Sequence, residues 1–193
     1  MGTYNRFFKK TGVVLLCFFF LISQGSLAWA ENARLTDIIV TNTQDHLLFF
    51  ARIENAFNEK ITEAVQSGVP ATFSLFITLD QQRGFWFDKK ITELEVNHTI
   101  AYNNIKETYT VIRSWEEGKS LTTGSFEEAS QAMCKIEGLV LSGMDKLNKG
   151  DKYQIRAKAE LDKMTLPFYL HYVLFFLSFW NVETDWHTIY FTY

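Results

Sequence analysis

Asp185 and His187 stand two residues apart in "ETDWHTIY", and on a β-strand residues two apart share a face. A carboxylate beside an imidazole could orient a general base or supply two metal ligands. Such pairs are common by chance, and nothing at motif spacing joins this one: the chain has no H-E-x-x-H, C-x-x-C or G-x-S-x-G, and its aspartates lack calcium-loop spacing. The "EEGKS" at 116–120 ends like a phosphate loop, but Arg113 stands where the first glycine of that loop must be, so the backbone could not wrap a phosphate. His46, His98 and His171 are far apart in sequence. No metal and no cofactor is expected, and an enzymatic reading would rest on Asp185 and His187 alone.

The aromatic residues carry more content. Phe85, Trp86 and Phe87 follow one another in "RGFWFDKK". If this run is a strand, Phe85 and Phe87 lie on one side and Trp86 on the other, so a large ring faces outward wherever only one sheet face is covered. Either a helix or the C-terminal tail covers that ring, or the rings form an apolar patch of the kind that marks a binding surface. Cys134, in "ASQAMCKIEGL", sits beside Met133 and Ile136 and reads as a small buried hydrophobe rather than a reactive thiol.

These residues need elements to hold them. Leu35–Thr41 and His46–Glu54 read as two strands of a hairpin turning at "NTQD". Phe57, Ile61, Ala64 and Val65 have helical spacing, with Asn55 as cap and Gly68 as stop. Phe73, Leu75, Ile77 and Leu79 then alternate with polar residues, as in a strand with one buried face. After a turn at "QQRG", residues 85–103 form one long bent strand or two strands with a bulge near Lys89–Thr92, and another strand covers about Glu107–Ser114. Ser125 and Glu128 have capping-box spacing and open a second helix with Ala129, Ala132, Met133 and Ile136 facing inward. The clearest alternation is "KYQIRAKAELD", where Tyr153, Ile155, Ala157, Ala159 and Leu161 face the core.

The chain opens with the features of a secretory leader. Arg6, Lys9 and Lys10 precede the apolar run "VVLLCFFFLIS", and Ala28 and Ala30 occupy the small positions of a cleavage site. That run covers about half of the roughly 20 residues a spanning helix needs. Residues 1–30 are therefore expected to be a cleaved signal peptide, and 31–193 a single domain in the periplasm or extracellular space. The formal net charge of −3 becomes −6 once the three basic residues of the leader are removed, which argues against a nucleic-acid partner. Only Cys134 remains after removal, so no internal disulfide is possible.

The tail is unusually apolar, with no charged residue from Leu166 through Val182. Its segment "FYLHYVLFFLSFW" would extend only about 20 Å as a helix, short of a hydrocarbon core of roughly 30 Å, so no transmembrane helix is expected in the mature chain. Whether helix or strand, it leaves an apolar side to cover, and packing against Phe85–Phe87 is the expected solution. A turn at "NVETD" and a last strand ending at Tyr193 follow.

Several of these stretches together resemble a known family. A helix ending in "SGVP", the alternating strand after it, "FWFDKK", "SFEEA", "YQIRAKAELD", then "LP" with the late Trp180 and Trp186, look like a family of bacterial secreted proteins, domain of unknown function 4390. The likeness covers about residues 35–190 and departs in the apolar stretch Tyr169–Trp180. It implies a single-domain envelope protein behind a signal peptide. The family has no assigned activity, so it supplies no site residues.

The expected fold class is α+β: a largely antiparallel sheet of about six to eight strands with two amphipathic helices packed on it, the alternative being a β-sandwich with peripheral helices. The expected function is a non-catalytic periplasmic interaction module with another envelope protein as partner. The alternative is an apolar-ligand or lipid-binding protein, with peripheral membrane contact within reach. Phe85, Trp86, Phe87, Phe176, Trp180 and Trp186 are the candidate binding surface.

Overall fold

The computed structural model describes residues 32–116, 118–162 and 182–193. The tail segment at 163–181, with Phe176 and Trp180, lies outside the described residues, as do residues 1–31 and 117.

The chain begins with the expected hairpin, β1 (Arg34–Asn42) and β2 (His46–Glu54). Its turn is tied by Thr43, whose N–H donates to the His46 carbonyl at 2.8 Å and whose Oγ1 accepts from the His46 N–H at 3.0 Å. Helix α1 (Glu59–Gln66) buries Ile61, Ala64 and Val65. Its cap is Asn58 rather than Asn55: the Asn58 Oδ1 accepts from the Ile61 N–H at 3.0 Å. Asn55 lies outside the helix with φ at 54°. After Gly68 at φ +90°, a conformation that costs glycine little, the chain enters β3 (Ala71–Gln81) and β4 (Lys89–Asn103). β4 is one long strand whose register slips between the Leu79–Thr92 and Asp80–Lys90 pairs. The slip is a bulge at Ile91, inside the expected region.

Asn103 turns the chain into β5 (Thr108–Arg113), its Oδ1 accepting from the N–H groups of Ile105 and Lys106, both at 3.0 Å. A short strand not expected from the sequence, β6 (Ser120–Thr123), pairs with β5. Helix α2 (Phe126–Cys134) starts at Ser125, whose side chain accepts from the Glu128 N–H at 3.3 Å. The capping box is only half made, because the Glu128 carboxylate accepts from the Thr123 hydroxyl at 2.6 Å and Thr123 Oγ1 takes the Ser125 N–H instead.

The helix also ends earlier than its apolar stripe. Lys135 passes directly into β7 (Lys135–Gly143), and Ile136, expected on the helix, is a buried strand residue. Gly138 at φ +65° sits in the bulge between the Ala51–Ile136 and Phe49–Leu139 pairs. A 3-10 turn at Met144–Lys146 leads to β8 (Lys152–Leu161), whose five expected inward residues are all buried. The last strand is β9 (His187–Thr192).

Among the described residues the nine strands form two antiparallel sheets, ordered β1-β2-β7 and β6-β5-β4-β3-β8-β9. The architecture is α+β. The inward faces of both sheets and the buried sides of both helices contribute to one core, from Phe49 on β2 through Phe73 and Leu75 on β3 to Met133 on α2. Helix α2 lies over β4, β5 and β6. The ring of Phe57 stands edge-on to Phe73 at 6.0 Å and to Phe126 at 5.6 Å, joining the helical cover to the sheet. The opposite face of the larger sheet is mostly polar, with Ser74, Thr78 and Asp80 buried on it and Asp80 accepting from Arg156 at 3.3 Å. No helix among the described residues is long and apolar enough to cross a membrane.

Candidate interaction surface

Residues 82–88 link β3 to β4, and here the structure corrects the strand expected at Phe85–Phe87. The ladder stops at the Gln81–Lys89 pair, so the three aromatic residues occupy a hairpin tip. Alternation assigns sides only where a sheet exists, and beyond Gln81 no partner strand continues it. Turn chemistry replaces the ladder: the Arg83 N–H donates to Asp88 Oδ1 at 3.1 Å across the loop.

The stem of the loop is held firmly. The Gln82 N–H donates to the Lys152 carbonyl at 2.8 Å, and the Gln81 side-chain amide donates to Asp151 Oδ2 at 2.6 Å. Asp151 also accepts from the Asn148 amide at 3.1 Å. On this braced stem the rings point into solvent: Phe85 is 99%, Trp86 79% and Phe87 97% exposed. At 150–250 Å² per aromatic side chain, the tip presents roughly 400–700 Å² of largely apolar surface, which exceeds an ordinary scattered hydrophobe.

Trp186 does not join this tip. It precedes β9, whose first residue pairs with Ala157, level with Ile77, whereas the loop departs level with Tyr153. Four residues along a strand separate the two levels, about 13 Å. Trp186 is itself 53% exposed. Phe176 and Trp180 lie outside the described residues. The sequence-derived surface therefore resolves into one cluster of three rings, one separate tryptophan and two positions without description.

A cleft of about 240 Å³ with mixed polar and apolar walls opens between β1 and β9, lined in part by Ile38, Val40, Asn42, Ile189, Phe191 and Thr192. Phe191 pairs with Tyr153, which pairs with Gln81, so the cleft and the loop share one end of the larger sheet. The exposed rings do not line it.

The residues with catalytic potential are placed elsewhere. Asp185 and His187 are both exposed and no hydrogen bond joins them. His98 is 1% exposed on the inward face of β4, its Nδ1–H donating to the Met133 carbonyl at 2.8 Å and its ring 4.4 Å from that of Trp115. Burial lowers its pKa to about 4 against the opposing effect of the Met133 bond, and Arg113 lowers it further. Such an imidazole stays neutral and packs as core. The signal for this was in the sequence, since His98 continues the alternation of Leu94, Val96 and Ile100. Among the described residues no group of three or more His, Cys, Asp or Glu side chains is arranged to hold a metal.

Cys134 ends α2, and burial pushes its thiol up to about 12, with Arg52 opposing. A thiol so placed yields little thiolate near neutrality. Cys134→Ser is expected to cost about 1 kcal/mol of stability in urea unfolding and to leave function intact. Lost function at unchanged stability would mark a reactive thiol instead.

No curated protein and no solved structure matches the chain. The model of one family, described as a domain of unknown function (DUF4390), matches residues 30–190, and the chain belongs to that family.

Proposed function

We propose that this protein is a non-catalytic interaction module of the bacterial cell envelope, and that it makes its contact through the loop 82–88. The observation that carries this reading is the exposure of three consecutive aromatic side chains on a hydrogen-bonded stem. Water disfavours such a tip by roughly 1.5–3 kcal/mol for each ring left uncovered, so a partner surface that covers it gains that energy back. The leader-like N-terminus, with Arg6, Lys9 and Lys10 before an apolar run, supports export as the route to that partner.

A second reading, an apolar-ligand carrier, draws on the cleft between β1 and β9. Its volume of about 240 Å³ is below the 300–1,000 Å³ of typical small-molecule sites, and it would hold only a short chain. The loop presents more uncovered apolar surface than the cleft offers a ligand, so the interaction reading is preferred.

Photo-crosslinking in the intact host tests it. A benzophenone amino acid placed at position 86 should form adducts, whereas the same probe at Ile105, still more exposed at 96% on the β4–β5 turn at the other end of β4, should form few. Equal, background-level yields from both positions would overturn the loop as the contact.

A further inference from the structure

We infer that the surface covered by the loop 82–88 is the interface of an anionic membrane, with Phe85, Trp86 and Phe87 inserting among the headgroups and acyl ends. This rests on the reading of the loop as the contact site and names what it contacts.

The shape of the site points away from a protein pocket. Protein hot spots seat one or a few anchors in fitted, concave surroundings with a rim that excludes water. Here three adjacent rings sit at a hairpin tip, nearly fully exposed. A fluid interface accepts rings in any direction, and aromatic side chains are enriched at its headgroup level.

The charges around the stem match that depth. Arg83, Lys89 and Lys152 are exposed, and none makes an ion pair among the described residues. Arg83 and Lys89 flank the rings in sequence, and Lys152 lies beside the stem through the bond from Gln82. Of the acids at the stem, Asp88 turns its Oδ1 to the Arg83 N–H, Asp151 accepts from the side-chain amides of Gln81 and Asn148, and Glu93 occupies Lys90 at 2.7 Å. At about 3.3 Å per residue, Arg83 and Lys89 sit at most about 10 Å along the chain from position 86, comparable to the 5–10 Å to which interfacial apolar side chains sink. Rings would then rest at the acyl boundary while the cations meet lipid phosphates. Without residues 1–30 the chain carries a formal net charge of −6 (19 − 3 basic against 22 acidic residues), so an anionic surface repels most of the molecule and admits it by this end.

The test uses residues 31–193, the chain expected once the cationic apolar segment 1–30 is removed, and the same chain with Trp86→Phe, mixed with vesicles of phosphatidylglycerol or phosphatidylcholine whose acyl chains carry bromine, a quencher of tryptophan emission. We expect phosphatidylglycerol vesicles to quench a component of emission that is absent from the Trp86→Phe chain. Binding through any other segment leaves Trp86 in water and gives no such difference. Arg83→Gln and Lys89→Gln should each weaken vesicle binding about fivefold, and phosphatidylcholine should bind more weakly still. Replacing Phe85, Trp86 and Phe87 together by serine should weaken binding by about a thousandfold or more, with unchanged melting because the three rings are exposed. If Trp86 emission is the same with brominated and unbrominated lipid, the membrane inference is overturned. Protein adducts from position 86 in that case leave the loop as the contact site, whereas their absence removes both readings.

Discussion

Phe73→Ala is expected to lower stability by about 3–5 kcal/mol, the range for emptying a buried aromatic site. Phe73 is 1% exposed in β3, flanked by His98 on β4 and Leu161 on β8. Its ring also receives the edge of Phe57 at 6.0 Å, and Phe57 meets Phe126 at 5.6 Å. The substitution therefore opens a cavity where the sheet meets the helical cover, and neither partner strand can close in because both are fixed by ladders. In a domain of this size each kcal/mol shifts the melting temperature by about 2–4 °C, so a fall of roughly 10 °C is expected in a thermal melt. Phe57→Ala should cost less, and the double variant should lose less than the sum because both remove the same ring contact. Additive losses would show that the contact carries no energy of its own.

The second large effect is a loss of stability on acidification, traced to His98. Burial holds its pKa near 4 in the folded protein, against 6.5 for an ordinary histidine. The unfolded chain therefore binds more protons than the folded one between those values, and stability rises with pH across that window. The contribution is complete above about pH 6.5 and is lost as pH falls towards 4, reaching about 3 kcal/mol. The charged group acting on His98 is Arg113, on the paired position of β5, whose guanidinium donates to Glu116 at 3.1 Å and to the Ala132 carbonyl at 2.9 Å. Urea unfolding between about pH 7 and about pH 4.5 should show a steeper fall for the natural chain than for His98→Gln. Glutamine can keep a donor towards Met133 but does not titrate. Identical pH profiles in the two chains would remove His98 as the source.

Much of the architecture was legible in local pattern. Tyr153, Ile155, Ala157, Ala159 and Leu161 alternate with charged residues because one sheet face is dry and the other wet, and all five are buried. Ile61, Ala64 and Val65 mark the dry side of α1 for the same reason. Ser125 announced the start of α2 because an orphan N–H at a helix end selects a side-chain oxygen within reach. These signals are local, and local physics is written in neighbouring residues.

The remainder depended on partners distant in sequence. Ile136 fits a helical stripe and a strand face equally well, and the pairing of β7 with β2 decided for the strand. Asn58 displaced Asn55 as cap because it lies closer to the first free N–H of the helix that formed. Phe85, Trp86 and Phe87 read as a strand until the Gln81–Lys89 pair ended the ladder and left them at a tip. The order of residues along the chain set which positions are apolar and with what period, and hence the class of fold. Which apolar residues find cover was settled by long-range packing, because burial is a property of what lies against a side chain, and the rings of Phe85, Trp86 and Phe87 are left exposed.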